Sequence, residues 1–156
     1  FIFKFIILAT LPITGDEAYF VKWADHLSDG YYDHPPMVGW LIYFMNFISD
    51  SFIFYRIFAF ISTLVVAYVI YKILELYKID KIKSQFIALI FLVSPIDILM
   101  TLFTNDTALV LFGAMGTLFL LYSFEYTKHY IRYSILAGIF LGFSFLSKYF
   151  AGFLLV

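Results

Sequence analysis

Two groups of ionisable residues stand out in this apolar chain, and their types set the chemistry to consider. The first is Asp16-Glu17 with Asp33-His34, in a polar stretch running from Gly15 to Ser51. The second is Arg56, Asp97, Asp106 and Lys148, single charges inside or at the edges of long apolar runs. A solvated loop tolerates acids, and six of the eleven acidic residues (Asp16, Glu17, Asp25, Asp29, Asp33 and Asp50) fall in the one polar stretch. Asp16 and Glu17 nevertheless follow directly on an apolar run, at the edge of a membrane rather than at a loop tip. Ionisable groups within spans are costly and face a cavity or a partner. One arrangement is an Asp97–Lys148 ion pair, with Arg56 snorkelling to the surface; the other is a polar cavity open to the outer leaflet. Asp33 and His34 supply a carboxylate and an imidazole, which suit a divalent ion such as zinc or manganese, although two ligands do not make a site. His26 reads as a surface residue of an amphipathic helix and His129 as a loop residue.

The elements that must position these groups follow from composition. Hydrophobic residues make up 63% of the 156 and charged residues 13%, and mean hydropathy is +0.94. A water-facing surface cannot be built from that balance, so the expected class is all-α, a multi-pass transmembrane helical bundle. A net charge of −1 offers no basic patch for nucleic acid; the lipid bilayer is the expected partner. With no cysteine there is neither a disulfide framework nor a thiolate metal site. Residues 1–14 are too short to cross a hydrocarbon core of about 30 Å and read as the tail of a truncated first span. Four further spans are expected at about 53–76, 85–104, 107–125 and 134–156, in an N-terminal piece of one membrane domain whose later spans and C-terminal domain are missing. Lys72, Lys78, Lys81 and Lys83, and then Lys128 and Arg132, fall in loops two spans apart. The positive-inside rule puts those loops in the cytoplasm. The outer loop 15–52 and an Asn105-Asp106 turn then face outward. On that layout Asp97 lies about 18 Å and Lys148 about 21 Å from the cytoplasmic end, level with Asp16 and Asp106.

Within the outer loop, Phe20, Trp23, Ala24 and Leu27 recur at i, i+3, i+4 and i+7, the spacing of an amphipathic helix lying on the membrane surface. Asp16 and Glu17 occupy its first turn, where the helix dipole favours carboxylates. Pro35 pushes His34 towards an extended conformation. Met37 to Ile48 is apolar but too short to span, and reads as re-entrant or interfacial.

Gly15-Asp16-Glu17-Ala18-Tyr19 followed by Gly30-Tyr31-Tyr32-Asp33-His34-Pro35-Pro36 resembles the first outer loop of GT-C membrane glycosyltransferases. The nearest types are the dolichyl-phosphate-mannose-protein mannosyltransferases and the aminoarabinose transferases of lipid A. Thr104-Asn105-Asp106 and Leu146-Ser147-Lys148-Tyr149 are similar to that family too. The resemblance implies a transferase in a bacterial plasma (inner) membrane with an outward-facing site. It would move a sugar from a polyprenyl (dolichyl or undecaprenyl) monophosphate to a lipid, glycan or protein acceptor. By the match, Asp16 is the candidate base that takes the acceptor proton, and Glu17 orients the acceptor or the helix start. Asp106 would orient the acceptor or steady an oxocarbenium-like sugar. Lys148, with Arg56 as the other available cation, would stabilise the leaving phosphate. Asp97 belongs to the same substrate-binding set. Some relatives carry Glu-Lys in the Pro-Pro context, so His34 and Asp33 meet either a divalent metal or the donor phosphate; no cofactor is certain.

Two other classes compete. A transporter or flippase with an intramembrane polar site would show paired broken helices or repeats, which the sequence does not display. A structural or assembly subunit accounts for the spans but not for the clustered outer charges.

Overall fold

The computed structural model describes residues 2–154, and within them the chain is all helical, with no strand. The helices are α1 (Ile2–Thr10), α2 (Gly15–Asp25), α3 (Met37–Asn46), α4 (Phe52–Leu76), α5 (Lys81–Phe91), α6 (Pro95–Leu99), α7 (Asn105–Glu125) and α8 (Tyr130–Ser147). Short 3-10 turns follow α7 at Thr127–His129 and α8 at Tyr149–Leu154. Three stretches, Phe52–Leu76, Asn105–Glu125 and Thr127–Ser147, are long and apolar enough to cross a membrane. At 1.5 Å per residue, the 25 residues of α4 reach about 37 Å, enough for the hydrocarbon core with tilt. The bundle places apolar side chains such as Ile57, Ile61, Leu64 and Tyr68 outward, as a lipid solvent allows.

Helices α7 and α8 form an antiparallel pair whose contacts descend in step. Phe119 stacks on Tyr133 and Phe140, Phe112 meets Phe140 and Phe143, and Ser144 Oγ donates to the Leu109 carbonyl at 3.0 Å. Gly116 lets the two backbones close. A methyl group there would sit 2.7 Å from Leu141 Cγ and 3.0 Å from its backbone nitrogen, the small-residue contact that membrane helices favour. Helix α1 lies antiparallel to α4, with Phe5 against Phe60 and Lys4 at Thr63.

The segment 85–104, expected as one span, is divided. Pro95 has no N–H, and its ring would clash with the carbonyl of Phe91 four residues back. Ser94 resolves both ends: its Oγ donates to Phe91 O at 2.7 Å and accepts from Asp97 N at 3.3 Å. One hydroxyl closes α5 and opens α6. The segment 134–156 is also interrupted. Helix α8 begins earlier, at Tyr130, and ends at Ser147; Lys148 is its C-cap in extended conformation, φ −157° and ψ 131°. Lys148 therefore stands where the helix stops, not inside a continuous span.

The segment 15–51 packs on itself. Phe20, Trp23 and Ala24 of α2 are buried against Val38, Ile42 and Met45 of α3 and against Phe103. Leu27 is left exposed, because α2 stops at Asp25. Tyr31 stacks flat on Trp23, centroids 4.0 Å apart, and its hydroxyl lies 2.9 Å from the Trp23 carbonyl and 3.1 Å from that of His26. That hydroxyl adds a donor at the C-terminus of α2, where the Trp23 carbonyl also accepts from His26 N at 3.1 Å. Met37 to Ile48 becomes the ten-residue α3, about 15 Å long and too short to span.

Candidate active site

The start of α2 is set by a capping box legible as Thr14-x-x-Glu17. Glu17 N donates to Thr14 Oγ1 at 3.4 Å, and Glu17 Oε2 accepts from Thr14 N and Thr14 Oγ1, both at 3.0 Å. The same carboxylate takes Arg56, whose Nε donates to Oε1 at 2.8 Å and Nη2 to Oε2 at 2.6 Å. Arg56 also donates to the carbonyls of Leu11 and Pro12 at 2.6 and 2.9 Å, and Phe103 N donates to Glu17 Oε1 at 3.3 Å. Burial opposes charge on Glu17. The hydrogen bonds from Arg56 and Thr14, with the Arg56 charge, outweigh it and hold the carboxyl below its ordinary value. Both residues are thus buried and paired with each other, and Glu17 serves the helix start, one of the two roles expected of it. Their node fastens the end of α1, the start of α2, helix α4 and the approach to α7.

Asp97 also has a partner other than the one expected. Its carboxylate pairs with Lys4 of α1, both side chains almost fully buried, and Lys4 Nζ donates to Thr63 Oγ1 at 3.4 Å. Thr63 is near the middle of α4, so this pair sits deep in the bundle rather than level with Asp16. An Asp97–Lys148 pair does not form. Lys148 Nζ instead donates to Asp106 Oδ1 at 2.7 Å. The antiparallel course of α7 and α8 explains this: the first turn of α7 and the C-cap of α8 lie at the same end. Asn105-Asp106, read as a turn, is the start of α7 with Thr104 at the N-cap.

What the fold brings together is Asp16 and Asp106. They face one cavity of about 540 Å³, within the range of small-molecule sites. Its apolar wall comes from Ile96, Leu99 and Met100, in and beside α6, and from Leu109 and Val110 of α7. Both carboxylates are exposed. Leu109 and Val110 also border a second, apolar groove of about 440 Å³ between α4, α7 and the turn after α8, which includes Ile70, Gly113 and Phe150.

Asp33 and His34 stand one turn along α2 from Asp16. Tyr19 Oη donates to Asp33 Oδ1 at 3.2 Å, Asp33 Oδ2 lies 3.9 Å from His34 Nε2, and the His34 ring borders Phe20 and Trp23. Among the described residues no three His, Cys, Asp or Glu side chains gather as a metal site would need. In the Tyr31-to-Pro36 string, Tyr31, Pro35 and Pro36 serve loop packing, while Tyr32 and Asp33 face out.

Residues 33–156 match the sequence profile of the dolichyl-phosphate-mannose-protein mannosyltransferase family, well over half of the chain. The chain belongs to that family. It is a membrane glycosyltransferase of the GT-C type, mannosyltransferase-like, and an integral membrane protein. No curated protein and no solved structure matches it. The mannosyltransferase match contains Asp33, His34, Arg56, Asp97, Asp106 and Lys148, while Asp16 and Glu17 precede it. Sequence reasoning missed Lys4 and Thr14. Lys4 is the one charge in its apolar run, and the capping-box spacing marks Thr14.

Proposed function

We propose that this mannosyltransferase-family protein moves a sugar from a polyprenyl monophosphate to an acceptor hydroxyl at the outer face of the membrane. The observation that carries the reading is one cavity holding Asp16 and Asp106, with the Lys148 ammonium on Asp106. The acceptor oxygen attacks the anomeric carbon, and its proton passes to Asp16, whose exposed carboxylate has no structural duty comparable to that of Glu17. The bond from that carbon to the phosphate oxygen breaks, and its electron pair stays on the phosphate. Lys148 is the cation for that growing charge. Asp106 faces the sugar, where positive character develops. The groove sharing Leu109 and Val110 with the cavity is apolar, as a prenyl chain requires. Asp33 and His34 lie beyond Asp16 and suit the acceptor side. The two lysine-bearing loops support an outward site through the positive-inside rule.

The test is sugar transfer from a prenyl-phosphate donor by the full chain in liposomes. Asp16→Asn keeps the shape but cannot take a proton, so transfer falls by about 10²–10⁴-fold with insertion unchanged. Asp25→Asn and Asp29→Asn, exposed on the same segment, retain activity. Near-normal transfer by Asp16→Asn would remove the assigned base; equal damage from all three changes would reduce the site to bulk negative charge.

A further inference from the structure

The ammonium that the proposed reading gives to the donor phosphate is already engaged. Lys148 Nζ sits 2.7 Å from Asp106 Oδ1, with the two side chains 31% and 55% exposed. We propose that this pair is a latch: the donor phosphate takes Lys148 away from Asp106, so that Asp106 becomes a free carboxylate only when donor is bound. The inference rests on Lys148 being the phosphate ligand.

Three observations favour exchange over a fixed bridge. The other charge pairs of the core, Glu17–Arg56 and Lys4–Asp97, are buried, and Glu17–Arg56 is cross-braced by backbone groups. Lys148–Asp106 is open to solvent, where an ion pair contributes little net stability. Lys148 also stands at the C-cap in extended backbone, and its flexible four-carbon stem can swing without repacking α8. Finally, Asp106 lies in the first turn of α7, where the helix dipole favours its charge without a lysine.

The donor strengthens its hold as reaction proceeds. A prenyl-phosphate sugar is a diester with one negative charge. Cleavage of the sugar–oxygen bond leaves a monoester phosphate of about −1.5 to −2, and the acceptor proton resides on Asp16. Lys148 is drawn further to the phosphate, and Asp106 keeps both oxygens for the sugar or acceptor. Departure of prenyl phosphate returns Lys148 to Asp106. Donor therefore binds before Asp106 can engage acceptor.

Equilibrium binding of a prenyl monophosphate to the full chain in liposomes tests this. Asp106→Asn and Asp106→Ser, two replacements at an exposed position, should each bind it about three- to fivefold more tightly than wild type, because the competing carboxylate is gone. Their transfer turnover should fall at least tenfold, so that binding and turnover move in opposite directions. Lys148→Ala should bind at least tenfold more weakly, and adding Asp106→Asn to it should change binding no further. Weak binding by Lys148→Ala with unchanged or weaker binding by both Asp106 variants overturns the latch and leaves the phosphate assignment standing. Wild-type binding by Lys148→Ala overturns the assignment itself.

Discussion

At the scale of single residues, three ion pairs divide the charges by duty. Glu17 accepts five hydrogen bonds from Thr14, Arg56 and Phe103, which leaves its neighbour Asp16 as the carboxylate free to face the cavity. Breaking one side of a buried pair costs about 3–5 kcal/mol, so Glu17→Gln should lower thermal stability markedly where Asp16→Asn does not. The pH dependence has a fixed sign. Because the folded carboxyl titrates below its ordinary value of 4.5, its stabilisation is complete above that value. It disappears as pH falls through the folded value. Thermal melting of the detergent-solubilised protein should show wild type weakening below about pH 5 and Glu17→Gln lacking that component. An identical acid response in both would mean that another group governs it. For Lys148, Lys148→Arg should keep part of the donor use that Lys148→Ala loses, since the charge survives in a changed geometry. Equal loss in both, read as KM for donor, would point to the ammonium's shape rather than its charge.

Among the elements, the break between α5 and α6 does most to shape the site. Ser94-Pro95 ends one helix and begins another, and the short piece so created carries Ile96 and Leu99 into the cavity wall and Asp97 inward to Lys4. The Lys4–Asp97 pair therefore ties α6 to α1. Asp97→Leu alone should strand the Lys4 ammonium and impair insertion and melting temperature, at about 3–5 kcal/mol. Lys4→Met with Asp97→Leu should restore folding, since an apolar pair of similar volume replaces a buried ionic one without desolvation. Restored folding with restored transfer makes the pair a fastener. Restored folding with transfer still absent, at matched expression, would give the charges a part in the reaction.

For the whole molecule, the proposed orientation rests on which helix ends lie together and on where the lysines fall. The starts of α4 and α7 and the end of α8 gather with the segment 15–51, and the lysine-bearing loops lie at the opposite ends. A cysteine at Ser28 should react with an impermeant thiol reagent added outside intact cells, and one at Lys81 should not; both positions are exposed. Labelling of Lys81→Cys alone would invert the orientation and remove the outward site. The all-helical class, the long apolar stretches and the acids at the start of α2 were legible in the chain, because composition and period 3.6 act locally. The capping box that places Glu17 and the proline that divides 85–104 were equally local, though their signals were overlooked. The pairing of charges was not local. Arg56 meets Glu17 across 39 positions and Lys148 meets Asp106 across 42, and nothing in the spacing of a span says which neighbouring helix it will face. Only packing chose Lys4 over Lys148 for Asp97, because α1 lies against α4 beside α6 while α8 ends at another level. That choice left Lys148 to Asp106, one of the two acids at the cavity.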